Sequence, residues 1–97
     1  MYRLKFHKRA WKEWSELDKS VQRQFQKKLD KVLINPHIPS MRLSGFAKSY
    51  RIKLRRAGYR LGYKVINEQV VVYVIAVGLR DKDEIYKDFD LRYNEGI

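Results

Sequence analysis

Apolar and polar residues alternate at the start of the chain, with Tyr2, Leu4 and Phe6 on one side and Arg3, Lys5 and His7 on the other. This period of two predicts a short half-buried strand. The period then lengthens. Ala10, Trp11, Trp14 and Leu17 recur at helical spacing with Lys12, Glu13 and Glu16 between them, which predicts an amphipathic helix with both tryptophans as core anchors. A second helix follows, with Val21, Phe25, Leu29, Val32 and Leu33 on its apolar face and Ser20 as its cap. Arg23, Lys27, Lys28 and Lys31 occupy its opposite face, read as solvated. Asn35-Pro36 ends it, because proline has no N–H and disfavours helical backbone in the residue before it. The loop beyond contains Pro39 and His37, the latter read as a surface residue without a partner.

From residue 50 the period returns to two. Tyr50, Ile52 and Leu54 oppose Arg51, Lys53 and Arg55; Tyr59, Leu61, Tyr63 and Val65 then oppose Arg60, Gly62 and Lys64. Ala57-Gly58 between the two runs predicts the turn of an antiparallel hairpin. The expected register sets Arg55 against Arg60, Leu54 against Leu61, Lys53 against Gly62, Ile52 against Tyr63 and Arg51 against Lys64. A three-residue bulged loop would scramble both faces. Residues 69–77 are almost wholly apolar and rich in β-branched side chains, as a central strand covered on both sides should be, and Asn67-Glu68 is its predicted entry turn. Gly78-Leu79-Arg80 ends it. Asp81, Asp83 and Glu84 favour the start of a last helix, in which Ile85, Phe89 and Tyr93 share one face and Tyr86 lies off it, near Arg80.

Ninety-seven residues, 44% of them apolar, suit one domain with one modest core, read as spanning 1–97. With no cysteine, a disulfide framework and a thiolate zinc site are excluded; with two histidines, a histidine metal site is not expected. No cofactor is expected. The first ten residues lack the apolar stretch of a signal peptide, and residues 70–77, the longest apolar run, fall far short of a membrane span, so a protein of the cytoplasm without membrane contact is anticipated.

Charge changes the picture most. The chain carries a net +11, and residues 31–67 supply nine of those charges, with nine Lys or Arg and no acid. Such local placement calls for an anionic partner. On the predicted hairpin, Arg51, Lys53, Arg55, Arg60 and Lys64 share one face with like charges opposed, an arrangement that destabilises a hairpin. Stability would not select it, so the face is read as a phosphate-binding surface, with Gly62 at its centre leaving room for a ligand backbone.

The run SYRIKLRRAGYRLGYKVINEQVVVYVIAVGLR followed by DEIY, together with RAWKEW, KKL and the Asn35-Pro36 break, resembles the RelE toxins, small bacterial ribonucleases of type II toxin–antitoxin systems. The likeness runs from Arg9 to Tyr86. It implies an α+β fold, two N-terminal helices packed on a mainly antiparallel sheet with a short C-terminal helix, and metal-independent cleavage of messenger RNA in the ribosomal A site. It also implies a RelB-like antitoxin as inhibitor, and contact with operator DNA only as the toxin–antitoxin complex. The family's functional positions correspond to Arg51, Lys53, Arg60, Arg80 and Tyr86. Arg42, Lys48, Arg55, Arg56 and Lys64 are expected to bind RNA phosphates around them.

Within that resemblance, Lys53 is the choice for proton chemistry, since neighbouring cations lower a lysine pKa. Arg60 clamps the scissile phosphate, Arg80 stabilises the transition state or protonates the leaving oxygen, and Tyr86 stacks on or orients a base. The family often has lysine where this chain has Arg51, and a basic residue where it has Ser44. Arginine is a clamp rather than a base, since its pKa exceeds about 12. The basic face carries no histidine or glutamate, which implies weak activity on free RNA. Two other readings of the same face are a non-catalytic RNA- or ribosome-binding module and an antitoxin-bound co-repressor component.

Overall fold

The computed structural model describes residues 1–79 and 84–95. In chain order they form β1 (Arg3–Phe6), α1 (Lys8–Ser15), α2 (Lys19–Ile34), β2 (Ser49–Leu54), β3 (Tyr59–Ile66), β4 (Val71–Leu79) and α3 (Glu84–Arg92), with 3-10 turns at Pro39–Met41 and Asn67–Gln69. The four strands make one sheet in the order β1-β4-β3-β2. β1 runs parallel to β4, and the other neighbours are antiparallel. The continuous apolar run lands where it must, in the interior strand β4, with all of residues 71–77 buried.

Two layers cover the sheet. On one side Ala10, Val21, Phe25, Leu29 and Val32 from α1 and α2 pack against Tyr50, Ile52, Leu54, Leu61, Tyr63, Val65, Val72 and Val74. On the other side Phe89 of α3 packs with Val71, Tyr73, Ile75 and Leu43, and Phe46, Tyr86 and Tyr93 close around them. The predicted α+β architecture, two helices on one face of a mainly antiparallel sheet and a short C-terminal helix, is the one observed. Among the described residues no helix is long and apolar enough to cross a membrane.

Four local expectations are corrected. Trp11 is 55% exposed and makes a T-shaped contact with Phe6, while Trp14 packs half-buried. The inward stripe of α1 passes through Ala10 and Trp14, and one residue beyond Ala10 lies about 100° round the helix. The residue before α2 is Asp18, not Ser20, which falls inside the first turn. His37, far from partnerless, lies between the Tyr50 hydroxyl (3.1 Å) and Asn67 Oδ1 (3.2 Å). His7 likewise leaves the outer face of β1, buries its ring and accepts the Arg9 N–H at 3.1 Å, capping α1.

The hairpin register differs by two from the expected one: Leu54 pairs with Tyr59, Lys53 with Arg60, Ile52 with Leu61 and Arg51 with Gly62. Its loop is residues 55–58, closed by the Gly58 N–H on the Leu54 carbonyl at 2.8 Å. Gly58 stands at φ +75°, a left-handed conformation that glycine takes without strain. A slip of two leaves every side chain on its own face. The entry to β4 is also two residues longer than expected, because a 3-10 turn over Asn67–Gln69 is followed by Val70 in a left-handed conformation at φ +55°, and the strand starts at Val71.

Candidate functional site

Arg51 and Lys53 point from β2 to the side away from α1 and α2, and Arg60 stands directly across from Lys53 on β3. Side chains opposed in this way have Cβ atoms about 5 Å apart, so the two cations cannot avoid each other. Above them lies Tyr86, from the first half of α3. Its hydroxyl oxygen accepts from the Arg51 guanidinium at 2.9 Å and from that of Arg60 at 2.5 Å. Both guanidinium carbons lie just under 6 Å from the centre of its ring. A single oxygen thus sits where two guanidinium groups converge, the place an anionic oxygen would take.

The electrostatics follow from that crowding. The Arg51 charge, then partial desolvation, then the Arg60 charge hold the Lys53 ammonium below its ordinary pKa. More neutral amine is therefore present near neutrality than on an isolated lysine.

The remaining predicted positions are distributed differently. Lys64 is tied down by α3: its ammonium donates to the Tyr93 carbonyl at 2.6 Å and lies 4.7 Å over the Tyr93 ring, and burial lowers its pKa. The Arg42 guanidinium donates to the carbonyls of Phe46 (2.6 Å) and Ser49 (3.1 Å) and lies over the Tyr50 ring, so it holds the loop before β2. Arg55 and Arg56 are exposed in the hairpin loop, and Lys48 is exposed just before β2 at φ +51°. Arg80, Asp81 and Asp83 lie outside the described residues.

Gly62 serves a different purpose from the one expected. A Cβ there would meet Phe89 Cδ2 at 2.7 Å, so its missing side chain admits α3 to the sheet rather than a ligand backbone. The helix is further fastened by Arg92, only 5% exposed, which donates through both terminal nitrogens to the Glu13 carboxylate at 2.9 Å and to the Ile75 carbonyl at 3.0 Å. Glu13 also accepts the Val77 N–H at 3.1 Å. Nothing in the local sequence marks Glu13 and Arg92 as partners, since 79 residues separate them.

Lys28 is an unanticipated neighbour of the site, placed there by the packing of α2 across the sheet edge. A cleft of 730 Å³ lies away from all of these, between the start of α1 and Tyr73. Its His7 ring is engaged by the Arg9 N–H and by Glu95 at 3.1 Å. Among the described residues no three His, Asp or Glu side chains gather as a metal site needs.

Residues 4–84 match a protein family described as the ParE toxin of type II toxin–antitoxin system, parDE. The chain is 49% identical over 87 residues to the mRNA interferase toxin RelE of Escherichia coli K12, a match covering 90% of this chain and 92% of that protein. The crystal structure of the isolated E. coli RelE toxin superposes with a TM-score of 0.82 at 46% identity, over 96% of this chain and 99% of that one. A chain of the intact E. coli RelBE toxin–antitoxin complex gives a TM-score of 0.81 at 49% identity, over 84% of this chain and 100% of its own length.

Proposed function

The chain belongs to the RelE/ParE family of type II toxin–antitoxin toxins, and from that premise we propose that it is an endoribonuclease that cuts messenger RNA in the ribosomal A site. The observation that carries the reading is the convergence of the Arg51 and Arg60 guanidinium groups on one oxygen position, held in the free protein by the Tyr86 hydroxyl, with Lys53 beside them across from Arg60.

In the proposed reaction a scissile phosphate replaces that hydroxyl between the two guanidinium groups. The ribose 2′-oxygen attacks the adjacent phosphorus. Its proton passes to the neutral Lys53 amine, the O2′–P bond forms and the P–O5′ bond breaks. The leaving 5′-oxygen takes up a proton, for which Arg80 is the candidate from the sequence. The products are a 2′,3′-cyclic phosphate and a 5′-hydroxyl. Arg51 and Arg60 neutralise charge gained by the non-bridging oxygens, a contribution worth about 10²- to 10³-fold per donor. Tyr86, released from the guanidinium groups, offers its ring face to a base.

The ribosome enters through what the face omits. The described hairpin face carries neither histidine nor carboxylate, and a lysine is a sluggish proton acceptor at neutral pH even when its pKa is lowered. Holding the 2′-oxygen in line with the leaving group is then the larger part of the rate, and a translating ribosome can supply it. A RelB-like antitoxin is proposed as the inhibitor, by analogy with the E. coli RelBE complex; binding to operator DNA is proposed for the toxin–antitoxin complex alone, and action for the bacterial cytoplasm.

The test is primer extension on ribosomes translating a defined message. Wild type is expected to give codon-positioned cuts ending in 2′,3′-cyclic phosphate. Lys53→Ala should slow them by about 10²- to 10⁴-fold and Arg60→Ala by about 10²- to 10³-fold. Intact message in the presence of folded wild-type protein would reject the reading in favour of a non-catalytic RNA binder.

A further inference from the structure

β2 is an edge strand, and edge strands leave alternate N–H and C=O groups unpaired. The Ser49 carbonyl faces outward, since it accepts the Leu43 N–H at 2.9 Å. The Lys53 carbonyl also faces outward and accepts from the Lys28 ammonium at 3.2 Å, a hydrogen bond that reaches round the edge from α2. In antiparallel pairing the N–H and C=O of one residue point the same way, and residues two apart share that direction. The amides of Arg51 and Lys53 therefore also face away from β3; that of Arg51 is turned toward the 41–43 segment, which bridges Tyr50 through Arg42, and Lys53 lines a groove of 260 Å³ with Lys28, Ser40, Met41, Arg51 and Arg55.

That groove has four cations and no acid, a hydroxyl from Ser40 and the outward amide of Lys53 at its wall. Lys28 is held by one hydrogen bond and keeps the rest of its three donors available. Arg51 and Lys53 belong both to this groove and to the cluster beneath Tyr86. Resting on the reading of that cluster as the scissile-phosphate site, we infer that the groove is a second phosphate subsite, holding the phosphodiester next to the one being cut, with Lys28 as its distinguishing ligand. A bound strand then runs off the sheet face and over the β2 edge. An edge strand can also accept a peptide. The lack of any acid in the lining and the groove's continuity with Arg51 and Lys53 favour RNA over a protein strand.

The test uses uncleavable 2′-O-methyl oligoribonucleotides with one or two phosphodiesters, titrated by fluorescence anisotropy against wild type, Lys28→Ala and Lys27→Ala. Lys27 is the exposed neighbour on the same helix, so its removal changes charge equally without touching the groove. Wild type and Lys27→Ala should gain about tenfold in affinity from the second phosphodiester, and Lys28→Ala less than about twofold. The slope of log affinity against log salt for the longer probe should flatten by about 0.7 in Lys28→Ala, the loss of one single-strand phosphate contact. On programmed ribosomes the same variant should raise KM with kcat unchanged.

Equal behaviour of Lys28→Ala and Lys27→Ala with the longer probe overturns the subsite, whether or not wild type cuts message. The Lys28-dependent gain without any cutting upholds the subsite and rejects the enzymatic reading instead. Loss of antitoxin-fragment binding in Lys28→Ala, with oligonucleotide binding intact, would assign the edge to a protein strand and overturn the proposal.

Discussion

Lys53 is an unusual lysine because of what stands beside it. Its pKa is lowered first by Arg51, then by desolvation and Arg60. In the proposed reaction the neutral amine is the reactive form, so cleavage should rise with pH as Lys53 loses its proton and level off above that pKa. Arg51→Gln removes the largest cause, returns the lysine toward its ordinary 10.5, and should move the rising limb to higher pH. Single-turnover pH–rate profiles check this, and a limb that stays in place would exclude Lys53 as the acceptor. The limb's position separates this effect from the loss of phosphate clamping, which lowers the plateau without moving it. The lysine common in the family at position 51 would serve less permanently as a clamp, since arginine keeps its charge throughout this range.

At the scale of elements, α3 decides what the basic face can do. It lies on the sheet because Gly62 offers no Cβ to the Phe89 ring, and it is fastened by Arg92 and by the Tyr93 hydroxyl on the Ala47 carbonyl at 2.9 Å. Gly62→Ala forces the buried Phe89 ring to move and should cost about 1–3 kcal/mol, the usual range for overpacking. Chemical denaturation can check it against a Phe89→Leu background, where the added methyl should cost less. Glu13→Ala leaves the buried Arg92 guanidinium without its bidentate partner and the Val77 N–H without its acceptor. A loss of about 3 kcal/mol is expected, with faster amide exchange across residues 85–93. Unchanged exchange there would mean that the pair does not hold the helix. Both arrangements escaped the sequence, because each joins residues whose neighbourhood exists only after the sheet has formed.

For the whole molecule, the uneven charge has a thermodynamic consequence. Like charges gathered at Arg51, Lys53 and Arg60 repel one another in the folded state and are spread apart in the unfolded chain, so an anion bound among them stabilises the fold by linkage. Phosphate should raise Tm relative to chloride at equal ionic strength, by about 5 °C for each kcal/mol of linkage. Arg60→Ala should abolish most of the difference. An equal rise in that variant would place the anion elsewhere, for instance near Lys8, Arg9 and Lys12 in the large cleft beside α1.

Periodicity alone determined the order and kind of the elements, the interior place of β4 and the division of the hairpin into an apolar and a basic face. Local spacing decides these because burying apolar side chains on one side outweighs other local preferences. The face survived even a two-residue error in register, since a slip of two preserves the alternation. The identity of Arg51, Lys53 and Arg60 as a group was likewise legible, by alternation and by family likeness. Tertiary structure decided the rest: that Gly62 makes room for a helix, that Lys64 and Arg42 hold the chain to itself, that Trp11 faces out, and that Lys28 joins the edge of the site. The physical reason is common to all of them. Charge and hydrophobicity are properties of a residue, whereas a partner is a property of a place. For a cation in a chain with 22 of them, only packing distinguishes the one that binds a carbonyl from the one left free to meet a phosphate.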